Sequence, residues 1–237
     1  MSFDTLATTI PNPTDALHRL AYARGFLVEW RGDDIVMNDD PERSRARIAD
    51  WNDLLYLMGD MVNTDDTRNR IVGCTDSFSV EAACSRLFEQ KTCERSEYGQ
   101  DASLRFYKAT GFAMNTDPLT MELDPYVAMY IKALSAVGII TNCSCDGHGY
   151  HDDTYGYRDK NATLLFETME AAHTAFHAAL WATDEGLKRF DLPWEYYGDV
   201  RVQIEYDPQT MQRILYDVIC AGQYIYENRV RLRALHE

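Results

Sequence analysis

The sequence lacks the markers of several common protein classes. No apolar run reaches the ~18 residues that a membrane-spanning helix needs. The N-terminal stretch MSFDTLATTIPNPTD has neither a basic start nor a long apolar core, so we expect no secretory signal and a cytoplasmic location. A phosphate-binding P-loop, a G-x-G-x-x-G dinucleotide fingerprint and a G-x-S-x-G nucleophile motif are also missing.

Basic residues are scarce relative to acidic ones. The 237 residues include 23 Lys and Arg against 38 Asp and Glu, which gives a net charge of −15. Such a charge disfavours direct binding to nucleic acids or acidic membranes. It permits a basic protein partner, or imitation of a nucleic acid. One hypothesis is therefore a non-catalytic interaction or inhibitor protein whose acidic face includes Asp33, Asp34, Asp39 and Asp40.

The six cysteines are few for a chain of this length and do not indicate a disulfide framework. Because no export signal is recognisable, we expect reduced thiols or metal ligands rather than disulfide bonds. The cysteines are Cys74, Cys84, Cys93, Cys143, Cys145 and Cys220.

Helix and strand signals are spread along the whole chain. Asn12-Pro13 and Asp124-Pro125 are typical helix starts, and a hairpin is predicted around Gly32. Strands predicted at 162–167 and 199–206 lie beside further helices. We therefore predict a helix-rich α+β fold with a small, mostly antiparallel sheet concentrated in the C-terminal half.

The domain organisation predicted from this pattern is a single domain over residues 1–237. The chain is long enough to bury a substantial core, and it contains no repeat or long linker. The best candidate boundary is the polar stretch near 112–122, which would separate a mainly helical N-terminal part from an α+β C-terminal part.

The densest collection of chemically active side chains is IITNCSCDGHGYHDD, residues 139–153. Thiolate and imidazole are preferred zinc ligands, so we predict a zinc site formed by Cys143, Cys145 and His148. The two cysteines face the same way if the chain is extended. Asp146, His151 and Asp152 are expected to hold the turn or to orient the ligands.

Two other interpretations of this stretch remain open. Cys-x-Cys is shorter than the C-x₂-C of zinc ribbons, so the stretch also fits a polar loop with packed thiols. A thiol nucleophile is the other: Cys143 or Cys145, with His148 or His173 as its base.

A second pair of candidate ligands lies on a predicted helix. His173 and His177 are four residues apart and therefore on one helical face, where two imidazoles can share a metal ion. The glutamate of the H-E-x-x-H protease motif is absent, and the pattern also fits an ordinary half-exposed face. We treat both histidines as additional candidate ligands.

The functional hypothesis that follows is an acidic intracellular metal-binding protein. A zinc ion with an open coordination position would make it a hydrolase, although the sequence identifies no catalytic residue. The alternatives are the acidic interaction protein described above and a nucleotide or small-ligand binder. The latter would use the 143–158 loop, whose aromatic side chains can stack on a nucleobase.

Overall fold

The computed structural model describes residues 12–37, 44–88, 123–139, 141–147, 161–166, 168–184, 194–196, 200–205 and 210–234. The helices in these stretches are α1 (Pro13–Ala23), α2 (Ser44–Met58), α3 (Val80–Phe88), α4 (Pro125–Ala136), α5 (Met169–Asp184), α6 (Met211–Glu227) and α7 (Arg229–Arg233). The strands are β1 (Val28–Arg31), β2 (Asp34–Met37), β3 (Val62–Asp65), β4 (Arg70–Cys74), β5 (Thr141–Cys145), β6 (Asn161–Phe166), β7 (Trp194–Tyr196) and β8 (Arg201–Glu205).

The predicted helix-rich α+β fold is confirmed. The C-terminal sheet has the order β5-β6-β8-β7, and every neighbouring pair is antiparallel. A second antiparallel sheet, β1-β2-β4-β3, lies in the N-terminal half, where we expected mainly helices. Hydrophobic alternation does not indicate β3 or β4, because β3 (VNTD) buries only its first residue and β4 (RIVGC) buries only Ile71.

Local signals account for the first helix and the first hairpin. The side chain of Asn12 accepts a hydrogen bond from the backbone N–H of Thr14 at 2.9 Å, and Pro13 occupies the first helical position. The predicted hairpin forms between β1 and β2, where Arg31 pairs with Asp34 across the turn. Gly32 has a positive φ of 68° in this turn, which glycine adopts without strain.

Two hydrophobic clusters form the core, and α6 contributes to both. One cluster joins α4, the C-terminal sheet and one side of α6. The other joins α1, α2, α3 and the N-terminal sheet. On α6, the adjacent residues Val218 and Ile219 belong to different clusters. Tyr22 and Tyr126 pack against both clusters, so the two clusters are in contact through these side chains.

Two buried cations also connect the end of α1 to the neighbourhood of α4. The Arg24 guanidinium donates to the carbonyl of Leu123 at 3.2 Å. The Lys132 ammonium donates to the carbonyl of Gly25 and lies 5.5 Å from the centre of the Phe26 ring. The candidate boundary at 112–122 lies outside the described residues, so the number of domains stays a prediction.

Candidate functional site

The described part of the cysteine-containing stretch, residues 141–147, forms a strand and the two residues that follow it. Helix α4 leads into β5, which pairs with β6 so that Cys143 is opposite Leu165 and Cys145 is opposite Thr163. The Cys145 side chain is half-buried, and its sulfur accepts a hydrogen bond from the N–H of Gly147 at 3.3 Å. Residues 143–147 thus lie at the end of this strand. The side chain of Cys143 is outside the description.

Asp146 has a structural role that its surroundings explain. Its side chain is fully buried, and its Oδ2 accepts a hydrogen bond from the N–H of Tyr126 at 3.3 Å. In return, the N–H of Asp146 donates to Oδ2 of Asp124 at 3.1 Å. A carboxylate at the first turn of α4 also interacts favourably with the helix dipole. Asp146 thus fixes the end of β5 against the start of α4.

The remaining members of the predicted zinc site cannot be placed. His148, His151 and Asp152 lie outside the described residues. Among the side chains that the structure does describe, no three His, Cys, Asp or Glu residues come together as a metal site. The zinc site at Cys143, Cys145 and His148 therefore stays a prediction, as does a thiol nucleophile in this loop.

The two helical histidines do form a pair. His173 and His177 lie on the exposed side of α5, and their Nε2 atoms are 3.0 Å apart. Their ring centroids are separated by 4.3 Å with an interplanar angle of 70°. One ring nitrogen donates to the other in this geometry, which requires one protonated and one unprotonated nitrogen. The same two nitrogens could instead converge on one cation.

The cysteine side chains that the structure describes are thiols. Cys74, Cys84, Cys145 and Cys220 form no disulfide bonds. Burial raises the pKa of Cys74 above the usual thiol value. These four residues agree with the expectation of reduced cysteines.

A cavity of about 400 Å³ lies between α1 and α6, away from the cysteine-containing stretch. Its first wall combines one flank of α1 with an aromatic side chain of β1. The residues of this wall are Asp15, His18, Arg19, Tyr22, Ala23 and Trp30. The α1 members recur at helical spacing, so they face the same way.

The second wall of the cavity is one flank of α6. Its members follow one another at steps of three, one, three and four residues, which keeps them on one helical face. They are Tyr216, Ile219, Cys220, Gln223 and Glu227. A hydroxyl, a thiol, an amide and a carboxyl thus face the aromatic first wall across the cavity.

His18 is the centre of a set of stacked rings. Its ring lies 4.8 Å from that of Trp30 at an interplanar angle of 29°, and 6.4 Å from that of Tyr22 at 13°. Its Nε2 is 3.3 Å from the carbonyl oxygen of Val28. Because a carbonyl only accepts hydrogen bonds, Nε2 carries the proton in this contact. Burial lowers the pKa of His18, although the Val28 contact and Asp15 oppose this shift. The neutral ring therefore retains Nδ1 as an acceptor.

The pKa values of four more groups at the cavity are also shifted toward the neutral form. Burial raises the pKa of Cys220 to about 11 and that of Tyr216 to about 12. The Tyr216 hydroxyl donates to the Cys220 sulfur, which partly offsets the rise at the thiol. The pKa of Tyr22 is raised by burial and by Glu227, and burial raises that of Glu227 itself. Burial at the cavity thus disfavours the charged form of these side chains.

Sequence patterns did not single out this cavity. The polar flanks of α1 and α6 are visible as residues repeating at three and four positions, and each flank alone resembles an ordinary half-exposed helix face. The flanks lie near opposite ends of the sequence. Only the packing of α1 beside α6 brings His18 opposite Cys220.

The acidic face is partly neutralised within the chain. Asp34 forms an ion pair with Arg70 at 3.1 Å, while Asp39 and Asp40 lie outside the described residues. Binding of a basic partner to this face stays a prediction. No helix in the described part of the chain is both long and apolar enough to span a bilayer.

Comparison with known proteins gives no relative of this chain. It matches no protein-family model, no curated protein and no solved structure. A functional proposal therefore depends on the geometry of the chain itself.

Proposed function

We propose that the protein binds a small organic molecule in the cavity between α1 and α6. The observation that carries this proposal is the cavity itself, with stacked rings on one wall and a row of polar groups on the other. Its volume of about 400 Å³ falls within the range of typical ligand pockets, which is about 300–1,000 Å³. Small-molecule sites commonly combine apolar and aromatic walls with a few convergent polar groups.

The position of the cavity also supports binding rather than simple imperfect packing. Ile219 and Ala23 are buried beneath it and belong to the N-terminal hydrophobic cluster, so two anchored helices hold its walls. Trp30 remains 38% exposed although its ring is large and apolar. An exposed tryptophan beside a cavity offers a ligand a large contact area at little cost in conformational entropy.

The proposal is tested by a thermal-shift screen with a library of neutral, anionic and cationic small molecules. A ligand that binds only the folded protein raises its melting temperature. Cys220→Phe, which fills the cavity, and Trp30→Ala, which removes part of its wall, should abolish the shift. The matched control is Tyr56→Ala, because Tyr56 is a 70% exposed aromatic residue outside the cavity. The proposal is rejected if no molecule in the library gives a thermal shift that Cys220→Phe and Trp30→Ala abolish.

A second candidate function is the binding of a transition-metal ion, with zinc as the expected cofactor. The observation in its favour is the 3.0 Å separation of the His173 and His177 Nε2 atoms. A cation about 2.0–2.1 Å from both nitrogens would bind them at an angle of roughly 95°. That angle is closer to square-planar or octahedral than to tetrahedral geometry, so copper and nickel belong in the same test. A zinc-dependent hydrolase would need further ligands, for which Cys143, Cys145 and His148 remain the candidates.

The metal candidate is tested by calorimetric titration with Zn²⁺, Cu²⁺ and Ni²⁺ under reducing, chelator-free conditions. His173→Ala and His177→Ala should each lower the affinity by at least about tenfold, because one imidazole remains where two acted together. His18→Gln is the matched control, since it removes a histidine from another helix. If Cys145→Ser and His148→Ala lower the metal affinity instead, the metal belongs to the cysteine-containing loop. Affinity unchanged in all four variants would reject both metal sites.

A further inference from the structure

The charged groups at the cavity leave little to attract an anion. Arg19 is the only Lys or Arg among the described lining residues, and its Nε lies 3.3 Å from both carboxylate oxygens of Asp15. The nearby Arg229 is held over the ring of Tyr226 at 4.3 Å and donates to the Tyr226 carbonyl at 2.9 Å. Glu227 adds a carboxyl at the rim. A phosphate or carboxylate would therefore be placed beside acids and an already paired cation.

The aromatic wall also restricts the shape of a ligand. The rings of Trp30, His18 and Tyr22 lie in planes that differ by 29° and 13° between neighbours. A flat ring can stack on Trp30, the partly exposed ring at the end of this set, and gain contact area that an irregular aliphatic molecule cannot. The proton on Nε2 of His18 faces Val28, so Nδ1 of the same ring suits a ligand that carries an N–H or O–H donor.

The α6 wall offers hydrogen bonds without charge. Gln223 has both an amide donor and an amide acceptor, and the Tyr216 hydroxyl and Cys220 thiol form a neutral pair. Burial is the main cause of every shifted pKa at the cavity, and each shift favours the uncharged form of the side chain. The groups are His18, Tyr22, Tyr216, Cys220 and Glu227. A partly desolvated cavity of this kind also disfavours charge on a ligand.

We infer, on the premise that the cavity is a ligand site, that it selects an uncharged planar heteroaromatic molecule and discriminates against its phosphorylated or carboxylated counterpart. The class includes nucleobases, nucleosides and aromatic amides. Nucleotides and aromatic acids carry the same rings but are disfavoured by their charge.

The inference is tested with the ligands from the screen and with two matched pairs of probes. Adenosine is compared with adenosine 5′-monophosphate, and nicotinamide with nicotinate, because each pair shares a ring and differs in charge. Binding is measured by quenching of tryptophan fluorescence, and Trp30→Phe identifies the part that comes from Trp30. We expect the neutral member of at least one pair to bind at least about tenfold more tightly than its anion, equivalent to about 1.4 kcal/mol.

Glu227→Lys provides an internal check on the electrostatic cause. A cation at the rim should reduce the ratio of the affinities for the neutral and the anionic probe by several-fold. Glu81→Lys on α3, outside the cavity, should leave this ratio unchanged. Equal effects of the two substitutions would overturn the assignment of the discrimination to this cavity.

Failure of the inference and failure of the proposed function give different results. Screen ligands that require the cavity but are mainly anionic or non-planar would overturn the inference and leave small-molecule binding in place. Anionic probes that bind as tightly as their neutral partners would have the same consequence. So would a result in which the screen finds ligands but no member of either probe pair binds. A screen without any cavity-dependent ligand would overturn both.

Discussion

Gly222 of α6 lies directly against the backbone of Tyr130 in α4. A Cβ atom at position 222 would be 2.7 Å from both the Cα and the N atom of Tyr130, which is closer than real Cβ contacts. The two helices therefore approach each other so closely at this point that only glycine fits. Because α6 also forms one wall of the cavity, this contact fixes the helix on which Tyr216 and Cys220 are carried.

Replacing Gly222 with alanine should destabilise the protein by about 1–3 kcal/mol, because the methyl group must displace the backbone of α4. This loss should appear although alanine is favoured over glycine within a helix by about 1 kcal/mol. Urea unfolding measures the effect, with Gln223→Ala on the same helix as the control. A Gly222→Ala variant as stable as the wild type would contradict the close approach of α4 and α6.

Asp146→Ala should lower the free energy of unfolding by about 1–2 kcal/mol, because it removes the acceptor for the Tyr126 N–H at the start of α4. Asp146→Asn keeps an acceptor oxygen and should lose less. Ser144→Ala, two residues away on β5, is the control. The loss should be the same with and without a chelator. A loss that appears only in the presence of metal would assign Asp146 to a metal site instead.

The lowered pKa of His18 predicts a loss of stability in acid. The folded protein binds a proton at His18 less readily than the unfolded chain, so its contribution is complete above pH ~6.5 and is lost as the pH falls below that value. Because one group binds at most one proton, it can change the free energy of unfolding by no more than about 1.4 kcal/mol per pH unit. Glu227, whose pKa is raised, contributes with the opposite sign, since the folded state favours its protonated form.

The His18 effect is isolated by comparing unfolding free energies of the wild type and His18→Gln between pH 5 and 8. Glutamine retains a donor for the Val28 carbonyl but does not titrate. The wild type should lose stability relative to the variant as the pH falls. A difference that stays constant with pH would show that His18 is not desolvated. Asp15, Arg19 and Glu227 remain in both proteins, so their contributions cancel to a first approximation.

Cys220 should react slowly with iodoacetamide. Its pKa of about 11 leaves little thiolate at pH 8, and the greater nucleophilicity of a high-pKa thiolate compensates only in part. We expect alkylation roughly tenfold or more slower than in the urea-unfolded chain, followed site by site with mass spectrometry. Tyr216→Phe should slow alkylation further, because the hydroxyl favours the thiolate. Equal rates in the folded and unfolded chain would contradict the burial of this thiol.

The sequence was informative where the physical cause is local. The start of α1 follows from the Asn12 cap and Pro13, and the start of α4 follows from its first-turn proline, Pro125, all within a few residues. The end of the chain shows the limit of this approach. The structure ends α6 at Glu227, where the Asn228 side chain donates to the carbonyl of Tyr224, and begins the separate short helix α7 at Arg229.

The candidate sites divide in the same way. His173 and His177 can be paired from sequence because a helix places residues four apart on one face, and the structure brings their nitrogens together. For Asp146, the sequence indicated a turn, but its contact with the start of α4 depends on how β5 and the helix are packed.

The sequence by itself determined the α+β class, the main helices and the hairpin, since periodicity, caps and turns act over short distances along the chain. Only the tertiary structure decided that the flanks of α1 and α6 enclose a cavity. Each flank is a pattern of polar and aromatic residues that occurs on many exposed helices. What distinguishes these flanks is the burial that follows from their facing each other, and the two hydrophobic clusters meeting at α6 determine that arrangement.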